Sequence, residues 1–351
     1  MTLKTSLKSQ LKSGLMSLII TVVALTLLQT LGIFSISANA KTSLSGEIKF
    51  PYEAPKISGI EKWINANPQK IADLKGKVVL VDFWTYSCIN CLRTLPHMNK
   101  LYEKYHDKGL VIIGIHAPEF EFEKNPKNVA TAVEKFHIQY PVALDNDMQT
   151  WRNYKNRYWP AHYLINKEGK VVYTHFGEGA YAKMDNNVRA LLEIEGKQEK
   201  QKYASNFSRG QSPETYLGLE RSANNANTSS KNFIFPKKIP KNHWALEGNW
   251  ERNRQFIESK SAGDSLKFNF KAKKVFLVMS SASGKEIEAE IFVNGKQLPK
   301  TLGKDVKNGV VKIKDSELYE ITNLKKLKNG IVEIKSKSPG LRAYAFTFAG
   351  K

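Results

Sequence analysis

Apolar residues run unbroken from Val78 to Phe83 apart from Asp82, closing at Trp84 (VVLVDFW), and again from Leu110 to Ile115 (LVIIGI). Runs this short, β-branched and bounded by Gly76 and Gly109 predict strands buried on both faces. Between them Ile89, Leu92, Leu95, Met98, Leu101 and Tyr105 recur every three or four positions, the period of a helix with one apolar face. Asn125-Pro126 is a helix start, with proline at the first helical position, and Val129, Val133 and Phe136 give that helix its stripe. AHYLINKEGKVVYTHF, residues 161–176, predicts two strands turning at Lys167-Glu168-Gly169, and NNVRALLEI, residues 186–194, a last helix. Strand, helix, strand, helix, hairpin, helix describes a mixed α/β sheet domain.

The pattern then changes. ANNANTSSKN, Ala223 to Asn232, is polar and reads as part of a linker over 197–241. Beyond it SLKFNF, KKVFLVMS, EIEAEIFVNGKQL, GVVKIK, GIVEIKSK and RAYAFTF alternate or run apolar between Gly, Asn and Asp turns. Several short strands without helices predict an all-β sandwich over 242–351. At the other end, Lys4, Lys8 and Lys12 precede the apolar run Leu18–Leu28 and the small residues Ala38-Asn39-Ala40. This is the layout of a secretory signal peptide, residues 1–40. An uncleaved anchor is the alternative, although the strong run is shorter than the ~20 residues of a spanning helix. The α/β domain is then 41–196, and the location is periplasmic or cell-envelope.

Composition adds less than it promises. The formal charge is +21, but the lysines are scattered over both halves. Without a compact Arg-rich patch or interleaved aromatics, a solvated basic surface is expected, not nucleic-acid binding.

The chain's two cysteines, Cys88 and Cys91, lie two residues apart in DFWTYSCINCLRTLP. Outside the cytosol disulfides persist, yet so small a loop restrains an unfolded chain little, and two thiols cannot make a structural zinc site. A redox pair is the remaining chemistry. Cys88 follows a strand and opens a helix, a position that favours the thiolate, the form that attacks a disulfide. Cys91, one helical turn later, becomes the shielded resolving thiol. Asp82 stands in a buried strand where an apolar side chain is expected. It either takes the Cys91 proton or is a hydrogen-bonded strand residue without a catalytic part. Glu119, just after the second strand, is expected near the cysteines if strand ends converge on the active site, as in the fold that the resemblance described next implies. It is a second candidate for moving protons, the alternative being a solvated loop carboxylate.

Asp82, Trp84, Cys88, Cys91, Pro96 and Pro160 together resemble the thioredoxin pattern: buried Asp, Trp, Cys-x-x-Cys, a helix-kinking proline and a cis-proline. The long spacing from Cys91 to Pro160 resembles the helical insert of exported TlpA/ResA-type proteins, here about 118–140. KVVLVDFWTYSCINCLRTLP, HAPEFEFEK, YPVALDND, YWPAHYLINKEGKV, HFGEGAY, SPETYLGLERS, WALEGNW, VFLVMS and RAYAFTFAG are similar to DipZ-type proteins. That resemblance implies a thioredoxin fold with an insert, then a carbohydrate-binding-module-like jelly roll. It implies an exported thiol-disulfide oxidoreductase that reduces disulfides in other exported proteins and needs no cofactor. It also implies a cis Trp159–Pro160 bond beside Cys88, with Trp84, Tyr86 and Trp159 as substrate-binding residues. DipZ-type proteins often carry a CcdA-like membrane module. Here a signal stands in that place, so a separate membrane donor of CcdA/DsbD type is expected to supply electrons.

Three rival functions remain. Thr85-Tyr86-Ser87-Cys88 matches part of a peroxiredoxin pattern, but Val81 stands where that pattern wants proline. A copper-delivery protein would draw on the two thiols and on His97, His116 or His162. Glycan binding by the C-terminal domain would use Trp244 or Trp250, although both tryptophans also suit a sandwich core.

Overall fold

The computed structural model describes residues 44–196, 199–200, 208–229, 232–297 and 303–350. The expected signal peptide falls outside these residues. The N-terminal half contains β1 (Tyr52–Glu53), β2 (Lys62–Ile64), β3 (Val78–Trp84), α1 (Ile89–Tyr105), β4 (Leu110–His116), α2 (Pro126–Lys135), β5 (Val142–Leu144), α3 (Gln149–Asn153), β6 (Ala161–Ile165), β7 (Lys170–Phe176) and α4 (Tyr181–Leu191). Its seven strands form one sheet in the order β1-β7-β6-β3-β4-β5-β2. β3, β4 and β5 pair in parallel, while β6 and β7 continue the sheet antiparallel.

Both faces of β3 are covered, which is why its sequence is apolar nearly throughout. Val79, Val81 and Phe83 face one core with Tyr154 and Tyr163. Val78, Leu80 and Trp84 face the other, beneath Leu95, Met98 and Leu101 of α1 and Met184 and Val188 of α4. Alternation along the strand puts Asp82 on this second face, under α1. No described helix is long and apolar enough to cross a membrane.

The C-terminal half contains β8 (Thr215–Tyr216), β9 (Trp244–Glu247), β10 (Trp250–Arg252), β11 (Ile257–Ser259), β12 (Ser265–Ser281), β13 (Ile287–Val293), β14 (Lys296–Gln297), β15 (Val306–Lys307), β16 (Val310–Ile313), β17 (Glu317–Ser336) and β18 (Leu341–Ala349). β12 changes partners along its length. Its first half pairs with β9 and its second half with β18, while β17 follows it throughout. A register shift at Ala272–Lys274 lies between the two halves. The core is filled by Leu266, Phe268, Phe270, Leu277, Ile334, Phe346 and their neighbours.

One expectation changes. The stretch taken as a linker is, where described, packed onto the β half. β8 pairs with β18, and Leu217 and Phe233 enter the β core. Trp244 and Trp250 are also in that core, so neither presents a face to a sugar.

Candidate active site

β3 ends at Trp84, and a short turn leads to Cys88, which caps the N-terminus of α1. The first turn of α1 carries no acidic residue, so the end of the helix that favours an anion is unopposed. Cys88 is half-buried and Cys91 is buried, both as free thiols. The Cys88 Sγ lies 4.0 Å from the carbonyl oxygen of Trp159, and the Trp159–Pro160 bond is cis. The Trp159 indole donates to the Ala117 carbonyl at 3.0 Å and packs against Trp151.

Cys91 faces the sheet. Burial pushes its thiol well up, the adjoining Cys88 adds to this, the Thr85 backbone draws it down, and the Asp82 charge raises it. Asp82 is 1% exposed, and neither carboxylate oxygen accepts a hydrogen bond among the described residues. His162 Nε2 stands 3.3 Å from Asp82 Oδ1, at ion-pair distance but not aligned for a hydrogen bond.

Glu119 lies elsewhere than expected. Its carboxylate accepts from the Tyr216 hydroxyl at 2.5 Å and from Arg221 at 2.8 Å, both in the C-terminal half. The acidic residue next to the cysteine turn is Glu123, which the sequence reading missed. It is fully buried and accepts from Ser87 Oγ at 2.6 Å, Ser87 N at 3.3 Å, Glu119 N at 2.6 Å and Phe120 N at 3.0 Å. Burial and then the Glu119 charge push its carboxyl up to about 7, against the pull of the Ser87 and Phe120 donors. Its place in the turn Glu121–Lys124 was the available signal, because a glutamate at the third position can reach back to the backbone before the turn.

Trp84 and Tyr86 are buried, not walls of a groove. Trp84 is fully enclosed, and Tyr86 stacks on His116. Of the three candidate substrate contacts, Trp159 alone is partly open. Beside it Tyr158 and Phe176 are both exposed, with ring centroids 5.3 Å apart. The C-terminal half also reaches the site. Ile89, between the cysteines, packs against Phe276 and Ala349, and Arg93 lies over the Phe276 ring. An open cleft of about 340 Å³ runs along this edge, lined by Ile89, Leu92, Arg93, Phe276 and Leu318 among others.

The three candidate copper ligands do not converge. His97 stacks on Tyr181, and His116 is buried with its imidazole pushed down to about 3 by desolvation. Among the described residues no group of three or more His, Cys, Asp or Glu is arranged to hold a metal.

Residues 53–174 match the model of the AhpC/TSA family and residues 212–349 that of the Thioredoxin like C-terminal domain. The chain is 41% identical over 241 residues to Protein DipZ of Mycobacterium bovis, covering 64% of this chain and 35% of that protein. It thus spans about a third of that relative's length. It is 38% identical over 109 residues to Thiol-disulfide oxidoreductase ResA of Bacillus cereus, covering 31% of this chain and 60% of that one. A solved structure described as a putative Thiol:disulfide interchange protein DsbE from Chlorobium tepidum is 26% identical with a TM-score of 0.36, covering 43% of this chain and 99% of that one. The DipZ likeness covers more of the chain than either family match alone, and the two matches fall one in each half: the chain is similar to DipZ-type thioredoxin-like proteins.

Proposed function

We propose that this protein is an exported thiol-disulfide oxidoreductase that reduces disulfides in other envelope proteins, with Cys88 attacking and Cys91 resolving. The observation that carries this reading is the asymmetry of the pair. Cys88 is half-open at a helix N-terminus beside the Trp159 carbonyl, while Cys91 is buried near Asp82.

The Cys88 thiolate attacks one sulfur of a client disulfide. A Cys88–client S–S bond forms, the client S–S bond breaks, and the departing client thiolate takes a proton from water. Cys91 then loses its proton to Asp82, and its thiolate attacks Cys88 Sγ. The Cys88–Cys91 bond forms and the second client thiolate leaves. Two electrons have passed from the dithiol to the client, and a membrane donor of CcdA/DsbD type restores them.

The Trp159 backbone next to Cys88 suits an extended client segment pairing as an added strand, and the exposed Tyr158–Phe176 pair suits apolar client side chains. Names of relatives support the same chemistry, since ResA is described as a thiol-disulfide oxidoreductase. Cys91→Ser should accumulate mixed disulfides with envelope proteins, resolved by electrophoresis without reductant. Cys88→Ser should accumulate few. Equal trapping through either cysteine contradicts the assignment, and peroxide consumption by Cys91→Ser would favour a peroxidase instead.

A further inference from the structure

The sheet face beneath α1 carries a row of residues set side by side on neighbouring strands. Gly114 on β4, Asp82 on β3, His162 on β6 and His175 on β7 are in register. Asp82 and His162 are both buried, at 1% and 2% exposure, and His175 is half-buried. The His162 Nε2 to Asp82 Oδ1 distance is 3.3 Å. Neither carboxylate oxygen and neither His162 nitrogen has a hydrogen-bond partner among the described residues. Two polar groups buried without partners cost several kcal/mol. Placed opposite one another, each is the natural partner of the other. The exchange chemistry above uses Asp82 and leaves His162 without a part.

Resting on that exchange reading, we infer that His162 is the positioning residue for Asp82. A small turn of the ring brings its Nε2–H, 3.3 Å away, onto Oδ1, so that the imidazole holds the carboxylate in place. The second oxygen is then left to receive a proton. When Cys91 resolves a mixed disulfide, its S–H bond breaks and the proton passes to Asp82. The sulfur electron pair forms the bond to Cys88 Sγ, and the leaving sulfur departs with the electrons of the broken bond. Without the imidazole, no polar neighbour fixes the carboxylate, so Cys91 loses its positioned acceptor.

The other groups facing the pair are few. Cys91 comes from α1. The buried Tyr140 hydroxyl, just before β5, feels both Asp82 and Cys91. β4 presents only Gly114, where an added Cβ would meet Trp84 Nε1 at 3.0 Å and Tyr140 Cε2 at 3.1 Å. On the far side His175 from β7 faces His162, its own proton disfavoured by burial and then by His162, with Lys183 of α4 adding to this.

The test uses the reduced full chain and 5,5′-dithiobis(2-nitrobenzoate). Attack by Cys88 releases one equivalent of thionitrobenzoate, and resolution by Cys91 releases a second, so the second phase reads the Cys91 step directly. His162→Leu should slow that phase about tenfold near pH 7 and move its pH midpoint upward by about one unit, because the Cys91 thiol, already raised by burial, must then lose its proton without a positioned acceptor. His162→Gln, which keeps an N–H within reach of Oδ1, should recover most of the wild-type rate. In an Asp82→Asn background, His162→Leu should have no further effect. If His162→Leu does not fold, His162→Asn, whose amide is too short to reach Oδ1, takes its place with the same expectation. An unmoved midpoint, or an equal loss in the Asp82→Asn background, overturns the inference and leaves the exchange reading standing. A wild-type protein that releases only one equivalent overturns the exchange reading itself.

Discussion

Two buried carboxylates flank the cysteine turn, and their surroundings are opposites. Glu123 receives donors from Ser87, Glu119 and Phe120 and ties the loop after β4 to the residue before Cys88. Asp82 receives no aligned donor and has only an imidazole at 3.3 Å. A carboxylate whose lone pairs are occupied by backbone N–H groups is held rigidly and serves as a strut. One left unsatisfied beside a buried thiol is costly to the fold and open to a proton. Burial alone therefore does not mark a proton acceptor. The number of donors already committed to the carboxylate separates the two.

The contrast can be broken by exchanging the losses. Asp82→Asn removes the acceptor and should slow release of the second thionitrobenzoate equivalent by about a hundredfold, the usual scale for loss of a general base. The same change relieves the core of an unsatisfied charge, so urea unfolding should show equal or greater stability. Loss of stability with an unchanged rate would mean that Asp82 is the strut.

Glu123→Gln should do the reverse, leaving the second phase nearly unchanged and altering stability. The Glu123 carboxyl is raised from 4.5 to about 7 in the fold, so the folded state favours the protonated form. Its stabilising contribution is full below about pH 4.5 and is lost as pH rises through about 7, a span worth on the order of 3 kcal/mol. Relative to Glu123→Gln, the wild type should thus lose stability between these pH values. A flat difference across that range would show that the four donors hold Glu123 ionised throughout.

The smallest effect belongs to Glu119. Its partner Arg221 is 43% exposed but its own side chain only 7%, so Glu119→Gln, which keeps an acceptor for Tyr216, should cost about 1–2 kcal/mol in urea unfolding. Both release phases should be unaltered, and a changed Cys88 phase would return Glu119 to the active site.

The sequence made β3, α1, β4 and the β6–β7 hairpin legible because each has a strong period, sharp glycine or proline boundaries and a buried face. The strands β8 to β11 were hidden, being two to four residues long and too short to display a period. β12 looked like two strands because Lys271-Ala272-Lys273-Lys274 reads as a break, whereas the chain passes through it by a register shift. In the site, Asp82 stood out as a charge inside an apolar run. Glu123 did not, since PEFEFEK offers three glutamates, and the reach of the third back to the backbone shows only once the turn over Glu121–Lys124 is placed. His162 was visible only as a lone histidine. Its meaning depends on a strand register, Asp82 opposite His162, that links residues eighty positions apart.

The most direct measurement is the equilibrium of the Cys88–Cys91 couple against glutathione or dithiothreitol buffers, read by trapping free thiols. A dithiol that reduces envelope disulfides should titrate as one two-electron couple with a potential below about −200 mV, on the reducing side of disulfide isomerases. A potential near about −120 mV, in the range of strong oxidants, would contradict the reductant reading, and failure of the two cysteines to form a disulfide at any potential would contradict the account as a whole.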